Sequence, residues 1–147
     1  MSDRTATLMD TSEIDDFLEE HQTGVLSLAD GDGSAYGFPI SFVHYPDEAR
    51  LYFRFAYGPD SQKREFFETT SRATFVVHGE TADGWKSVVV EGELAEFLEP
   101  DAPVNVVDDV NDLDVPFFEV FEQPESDLEF RIVALDIDAL QGRVEAA

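Results

Sequence analysis

Two short stretches of this 147-residue chain gather side chains that could bind a ligand. The first is Ser61-Gln62-Lys63-Arg64, which follows the breaking run Gly58-Pro59-Asp60-Ser61 and opens a segment, Gln62 to Thr70, that reads as a short helix. Cations in a first helical turn oppose the helix dipole, which favours anions there. A phosphate seated over the N–H groups of Ser61 and its neighbours would reconcile the dipole, the donors and the cations. The alternative is that Lys63 and Arg64 lie in solvent beside Glu65 or Glu68, and this feature alone does not choose. The second stretch is Trp85-Lys86-Ser87-Val88-Val89-Val90-Glu91-Gly92, with the only Trp, one of two lysines and a Ser at the entry to a strand. Strand alternation puts Ser87 and Val89 on one face and Lys86 and Val88 on the other. Trp85 could stack on an aromatic ligand, although core or dimer packing is the commoner use of such a residue.

Other chemistry is poorly represented. His21, His44 and His78 share no spacing with acids that would suit a triad or a metal site, and each reads as structural or solvated. Acid pairs such as Asp15-Asp16, Glu19-Glu20 and Asp108-Asp109 read as solvated surface in so acidic a chain. There is no cysteine, which excludes disulfides, thiolate metal sites and cysteine nucleophiles. Gly31-Asp32-Gly33 lacks the third glycine and the following helix of a dinucleotide turn, and serine-hydrolase and phosphate-loop fingerprints are missing too.

Charge bounds the partners. With 33 acidic against 9 basic residues, a net charge of -24 repels nucleic acid and anionic membranes. The acids run through every segment, and Lys63 and Lys86 are the only lysines, a pattern that resembles proteins of extremely halophilic archaea. In about 1 M salt the Debye length falls to about 3 Å and screens the self-repulsion. Hydrophobic residues still make up 43% of the chain, and 13 Phe suffice for a core. No stretch approaches the roughly 18 apolar residues of a membrane span, and Met1 to Phe17 lacks the basic-then-apolar order of a signal peptide, so a cytoplasmic protein is expected.

The elements that must position these residues read as one small domain over 1–147. Asp10 to Gln22 is a predicted helix, capped by Ser12 with Asp15 three residues on, with Ile14, Phe17 and Leu18 inward. Gly24 to Leu28, the turn at Asp30 to Gly33, and Ala35 to His44 form a predicted hairpin; Arg50 to Phe55 adds a third strand. Ala73 to His78, Trp85 to Leu98 and Phe130 to Ile137 are the remaining strands, with Gly92 marking a bulge or bend. Asp101 to Asp127 stays unassigned apart from a helix at Val115 to Phe121, started by Pro116. Six strands with flanking helices predict a mainly β protein, a small six-stranded antiparallel barrel.

Taken in order, Gly24-Val25-Leu26-Ser27, Gly37 to Val43, Leu51-Tyr52-Phe53-Arg54, Ser61-Gln62-Lys63 and Trp85 to Gly92 resemble the pyridoxamine 5'-phosphate oxidase-related, FMN-binding split-barrel family. The resemblance spans about Ser12 to Leu98 and implies a split β-barrel that builds two flavin sites across a homodimer interface. It implies that the backbone of Pro39, Ile40, Ser41 and Phe42 lies along the polar edge of the isoalloxazine ring. Phe55 and Ala56 would lead to the phosphate. Ser61 and Lys63 match the family's phosphate grip, with Gln62 where many members have Arg, so that Arg64 or Arg54 would substitute. Trp85, Lys86 and Ser87 match the segment that reaches the flavin, often from the partner subunit. The C-terminal stretch Phe130 to Ala147 has only Arg131 and Arg143 and no Trp, so pyridoxamine phosphate oxidation itself is not expected.

The expectation is therefore a homodimeric, FMN-dependent oxidoreductase acting on a small-molecule substrate or electron donor, with no catalytic side chain assigned and no metal. The alternatives are a non-enzymatic flavin carrier, store or sensor, a relative that binds F420 or haem, and a plain structural barrel.

Overall fold

Burial alternates along the strands, and the alternation defines the inside of a barrel. Leu26 and Leu28 in β2 (Thr23–Ala29), Phe38, Ile40 and Phe42 in β3 (Ala35–Tyr45), and Leu51, Phe53 and Phe55 in β4 (Arg50–Tyr57) turn inward. They meet Ala73, Phe75 and Val77 of β5 (Arg72–Thr81), Val88, Val90 and Leu94 of β6 (Gly84–Phe97), and Val133 and Leu135 of β7 (Glu129–Glu145). The computed structural model describes residues 6–29, 31–57, 71–97, 104–111 and 129–145. Its strands run antiparallel in the order β7-β4-β3-β2-β5-β6, and β6 pairs back onto β7. The result is a closed six-stranded antiparallel barrel, flanked by helices, as the sequence pattern predicts. Phenylalanines fill it edge to face: Phe42 on Phe75 at 5.0 Å between ring centroids, Phe53 on Phe75 at 5.1 Å, Phe38 on Phe55 at 5.7 Å.

One end of the barrel is plugged by α1 (Thr11–Glu20), whose Ile14, Phe17 and Leu18 join the barrel core. The cap is Asp10, not Ser12: its carboxylate accepts from the Glu13 N–H at 2.8 Å. Asp10 competes better because its backbone is already extended, whereas Ser12 lies within the helix. A 3-10 turn at Pro46–Glu48 and a left-handed Ala49 link β3 to β4.

β7 runs to Glu145, eight residues beyond the expected end at Ile137. The acids and Gly142 hide that half from an apolar pattern. Its backbone is instead held by β6 on one side and, on the other, by β1 (Ala6–Leu8), a short strand absent from the sequence reading. Near the middle the β6–β7 register slips between Glu91 and Gly92, where a Cβ on Gly92 would stand 1.9 Å from the Asp136 carbonyl oxygen. The expected bulge at Gly92 thus exists because two backbones touch there. Asp138, the residue the slip leaves over, takes an ion pair from Arg72.

A second layer lies outside the barrel. The helix α2 (Val104–Asn111), within the stretch left unassigned from sequence, lays Val106 and Val110 on Tyr52, Ile132 and Ala134. The Tyr45 hydroxyl donates to Asp109, tying β3 to α2. Burial, with that hydrogen bond second, pushes the Tyr45 phenol well above its ordinary range. Arg50 donates to Asp136 at 2.5 Å and to the Tyr52 hydroxyl at 3.2 Å on the same flank. The expected helices at Gln62 to Thr70 and Val115 to Phe121 lie outside the described residues. Among the described residues no helix is long and apolar enough to cross a membrane.

Candidate functional site

β3 changes partners along its length, so its ladder to β4 is shorter than its ladder to β2. Residues 35–41 pair with β2, from Ala35↔Ala29 to Ser41↔Thr23, whereas the ladder to β4 covers only Phe42↔Phe53 to Tyr45↔Arg50. The Phe42 N–H donates to the Gln22 carbonyl on the β2 side at 2.9 Å. Neighbouring N–H groups along a strand point to opposite edges. The nitrogens of Ser41, Pro39 and Gly37 therefore turn to the β4 edge, beyond the last β4 rung. Pro39, which has no N–H to give, sits where no ladder needs one.

Four expected residues, Pro39, Ile40, Ser41 and Phe42, thus lie at this split, and Arg54, Phe55 and Ala56 follow on the diverging stretch of β4. Ile40, Phe42 and Phe55 are core side chains, so only their backbones can serve a ligand outside. Pro39 is exposed, and Ser41 is a buried polar residue. Arg54 shares the outward parity of Tyr52 and is half-buried beside the split. Ser61, Lys63 and Arg64 lie outside the described residues; β4 and β5 place the ends of that connection, Tyr57 and Ser71, at the barrel end away from α1.

Trp85, Lys86 and Ser87 stand elsewhere. In the ring of six strands β6 is diametrically opposite β3, and its first residues lie at the α1 end. Trp85 is 51% exposed on the outer face, with Ser87 half-buried beside it. Lys86 has the inward parity of Val88, and its ammonium lies 3.7 Å from Asp83. One barrel therefore assembles the β3–β4 segments of the expected site but not the β6 segment.

An apolar row crosses the outer surface between these regions: Pro39, Val25, Val76 and Val89 are successive partners across β3, β2, β5 and β6. Val25 is exposed and Val76 and Val89 half-exposed. Next to it runs His78–Ser87–Arg143, again one residue per strand. Sequence reading missed the last grouping, since 65 positions separate His78 from Arg143 and only closure of β6 onto β7 joins them.

Among the histidines, His21 hydrogen-bonds the Phe17 carbonyl at 2.8 Å and stacks on its ring. His44 is half-buried at the α1 end; burial pulls its pKa below the ordinary value of 6.5, against the opposing charges of Asp15 and Glu19. Both fit the structural role expected of them. No group of three or more metal-ligating side chains occurs among the described residues.

Solved structures share this fold. An FAD-binding protein from Mesorhizobium loti is 23% identical and superposes with a TM-score of 0.70, covering 97% of this chain and 99% of its own. The FAD binding protein of Mycobacterium smegmatis is 15% identical with a TM-score of 0.64, over 96% and 98% of the two chains. The FAD and heme binding protein of the same organism is 15% identical with a TM-score of 0.66, over 99% and 75%. No curated protein matches the chain. The sequence from residue 10 to residue 144 matches the pyridoxamine 5'-phosphate oxidase family, and with nearly the whole chain covered by that match, the protein belongs to this family.

Proposed function

We propose that the protein is a homodimeric flavin-binding oxidoreductase, with the flavin ring along the β3–β4 split of one protomer and the Trp85 strand of the other closing over it. The observation that carries this reading is the split itself, the stretch Pro39 to Ser41 of β3 that lies beyond the β4 ladder among the described residues, with Arg54 beside it. A backbone edge of this kind suits the carbonyl and imide groups of a flavin ring. The neighbours named as FAD-binding proteins support a flavin, and FMN is the simplest form that the Ser61, Lys63 and Arg64 segment would hold by its phosphate.

Strand order supports the dimer. Because β6 lies opposite β3, a ligand outside the barrel can meet both the split and Trp85 only if two copies contribute. The apolar row Pro39–Val25–Val76–Val89 offers the surface for it. In the assembled site Pro39 to Phe42 would orient the ring, and the partner's Trp85 strand would border its open face. When bound, the flavin supplies the electron-accepting and electron-donating chemistry.

The test is spectroscopic. Purified protein, as isolated or after addition of FMN, is expected to show bound-flavin absorbance, and Lys63→Ala to weaken FMN binding roughly ten- to hundredfold, the effect of losing a charge-assisted hydrogen bond. Absence of any flavin complex would refute the reading. Reduction of the bound flavin by NAD(P)H in stopped flow would separate an oxidoreductase from a carrier.

A further inference from the structure

In a chain with 33 acids and 9 bases, a cation that finds no carboxylate is unusual. Arg50, Arg72, Lys86 and Arg131 each stand in an ion pair, with Asp136, Asp138, Asp83 and Glu96. Arg143 instead donates to the neutral side chain of Gln141 at 3.3 Å, and no described carboxylate lies in ion-pair contact with it. It is exposed on the outer face of β7.

The neighbours of Arg143 are suited to a ligand. Ser87 is its partner on β6, and His78, also exposed, is the partner of Ser87 on β5. One row nearer the α1 end, Trp85 lies diagonally across from Arg143, since Trp85 pairs with Glu145. Diagonal neighbours on one sheet face are roughly 7–8 Å apart, within reach of long side chains. That gap suits a molecule with a flat ring at one end and an anion a few bonds away. An anion alone would have no use for the exposed indole, and a neutral ring none for the guanidinium. Glu80 and Glu145 flank Trp85 on its own row, so an anion is admitted only on the Arg143 side.

We propose that this face binds a nucleoside phosphate, its base stacked on Trp85 and its phosphate held by Arg143 with donors from Ser87 and His78. The proposal rests on the flavin reading for its purpose: the Trp85 strand is the one that would face the partner's flavin, so the nucleotide is the small molecule that approaches the ring. Arg143 and His78 would then select substrates by charge.

Trp85 is the chain's only tryptophan, so its fluorescence reports on this face, with bound flavin as a constant background across the titration. Full-length protein is titrated with adenosine 5'-monophosphate, adenosine and inorganic phosphate in the same salt, with flavin content followed by absorbance. The monophosphate is expected to quench Trp85 at concentrations at least tenfold below adenosine, and inorganic phosphate to compete with it. Arg143→Gln should weaken the monophosphate tenfold or more, to the level of adenosine, while flavin absorbance and the melting curve stay as in the parent. Equal binding of monophosphate and adenosine, no quenching by either, or unchanged affinity in Arg143→Gln would overturn the proposal. Failure of the flavin reading has a separate signature, loss of the flavin band with the nucleotide titration read independently.

Discussion

On the outside of β3, β4 and β7, Tyr52, Ile132 and Ala134 are fully buried because α2 lays Val106 and Val110 over them. On the outside of β2, β5 and β6, Val25, Val76 and Val89 hold equivalent outward positions, Val25 exposed and the other two half-exposed. The two faces belong to one barrel with one inner core, so the difference does not come from the strands. Among the described residues, it comes from whether a helix lies there. A covered outer face contributes to the stability of the protomer, whereas an uncovered apolar face contributes nothing until something docks on it. The proposed dimer and ligand both use the uncovered side.

The strand closure common to both faces is the point of largest effect. Gly92→Val puts a side chain into the Asp136 carbonyl, so β6 and β7 must separate where they close the barrel. A loss on the order of 5 kcal/mol is expected, enough to unfold a domain of this size. Circular dichroism showing a native melt would mean that the bulge relaxes and that closure at Gly92 is dispensable.

The same substitution on the two faces then separates them. Val110→Ser removes buried methyl groups from the α2 contact and leaves a hydroxyl in their place, at a cost of about 2–4 kcal/mol. Val89→Ser, on the open face, should change protomer stability by only about 0.5 kcal/mol while weakening the dimer in light scattering. Equal destabilisation by both in denaturant titrations would dissolve the distinction.

The smallest effect concerns the plugged end. His44 has a folded pKa below 6.5, so as pH falls the unfolded chain takes up the proton first. Stability is full above about pH 6.5 and declines below it, levelling once the pH passes beneath the folded value. His44→Gln should flatten that decline in melting curves between pH 7 and 5. An unchanged slope would show that Asp15 and Glu19 of α1, the charges that oppose the shift, have cancelled it.

Much of this molecule could be read before it was seen. The alternation in β3, β4 and β5, the turn at Gly31 to Gly33 and the bulge at Gly92 are local consequences of residue type, because side-chain period and backbone freedom act within a few positions. Pro39 to Phe42 and Arg54 to Ala56 are expected near one another from the resemblance in order along the chain, and they lie where β3 and β4 diverge. Other features had no local signal. The strand Asp138 to Glu145 carries acids and a glycine and is extended because β6 and β1 pair with it. Helix α2, with its short valine pattern, gains its place from Tyr52 and Ile132. The residues alone determined the antiparallel strands, their inward faces and the acidic surface. Tertiary structure alone decided that β6 stands opposite β3 and that Arg143 comes beside Ser87 and His78. Those relations depend on closure between strands distant in sequence, and closure is set by the register of the whole ring.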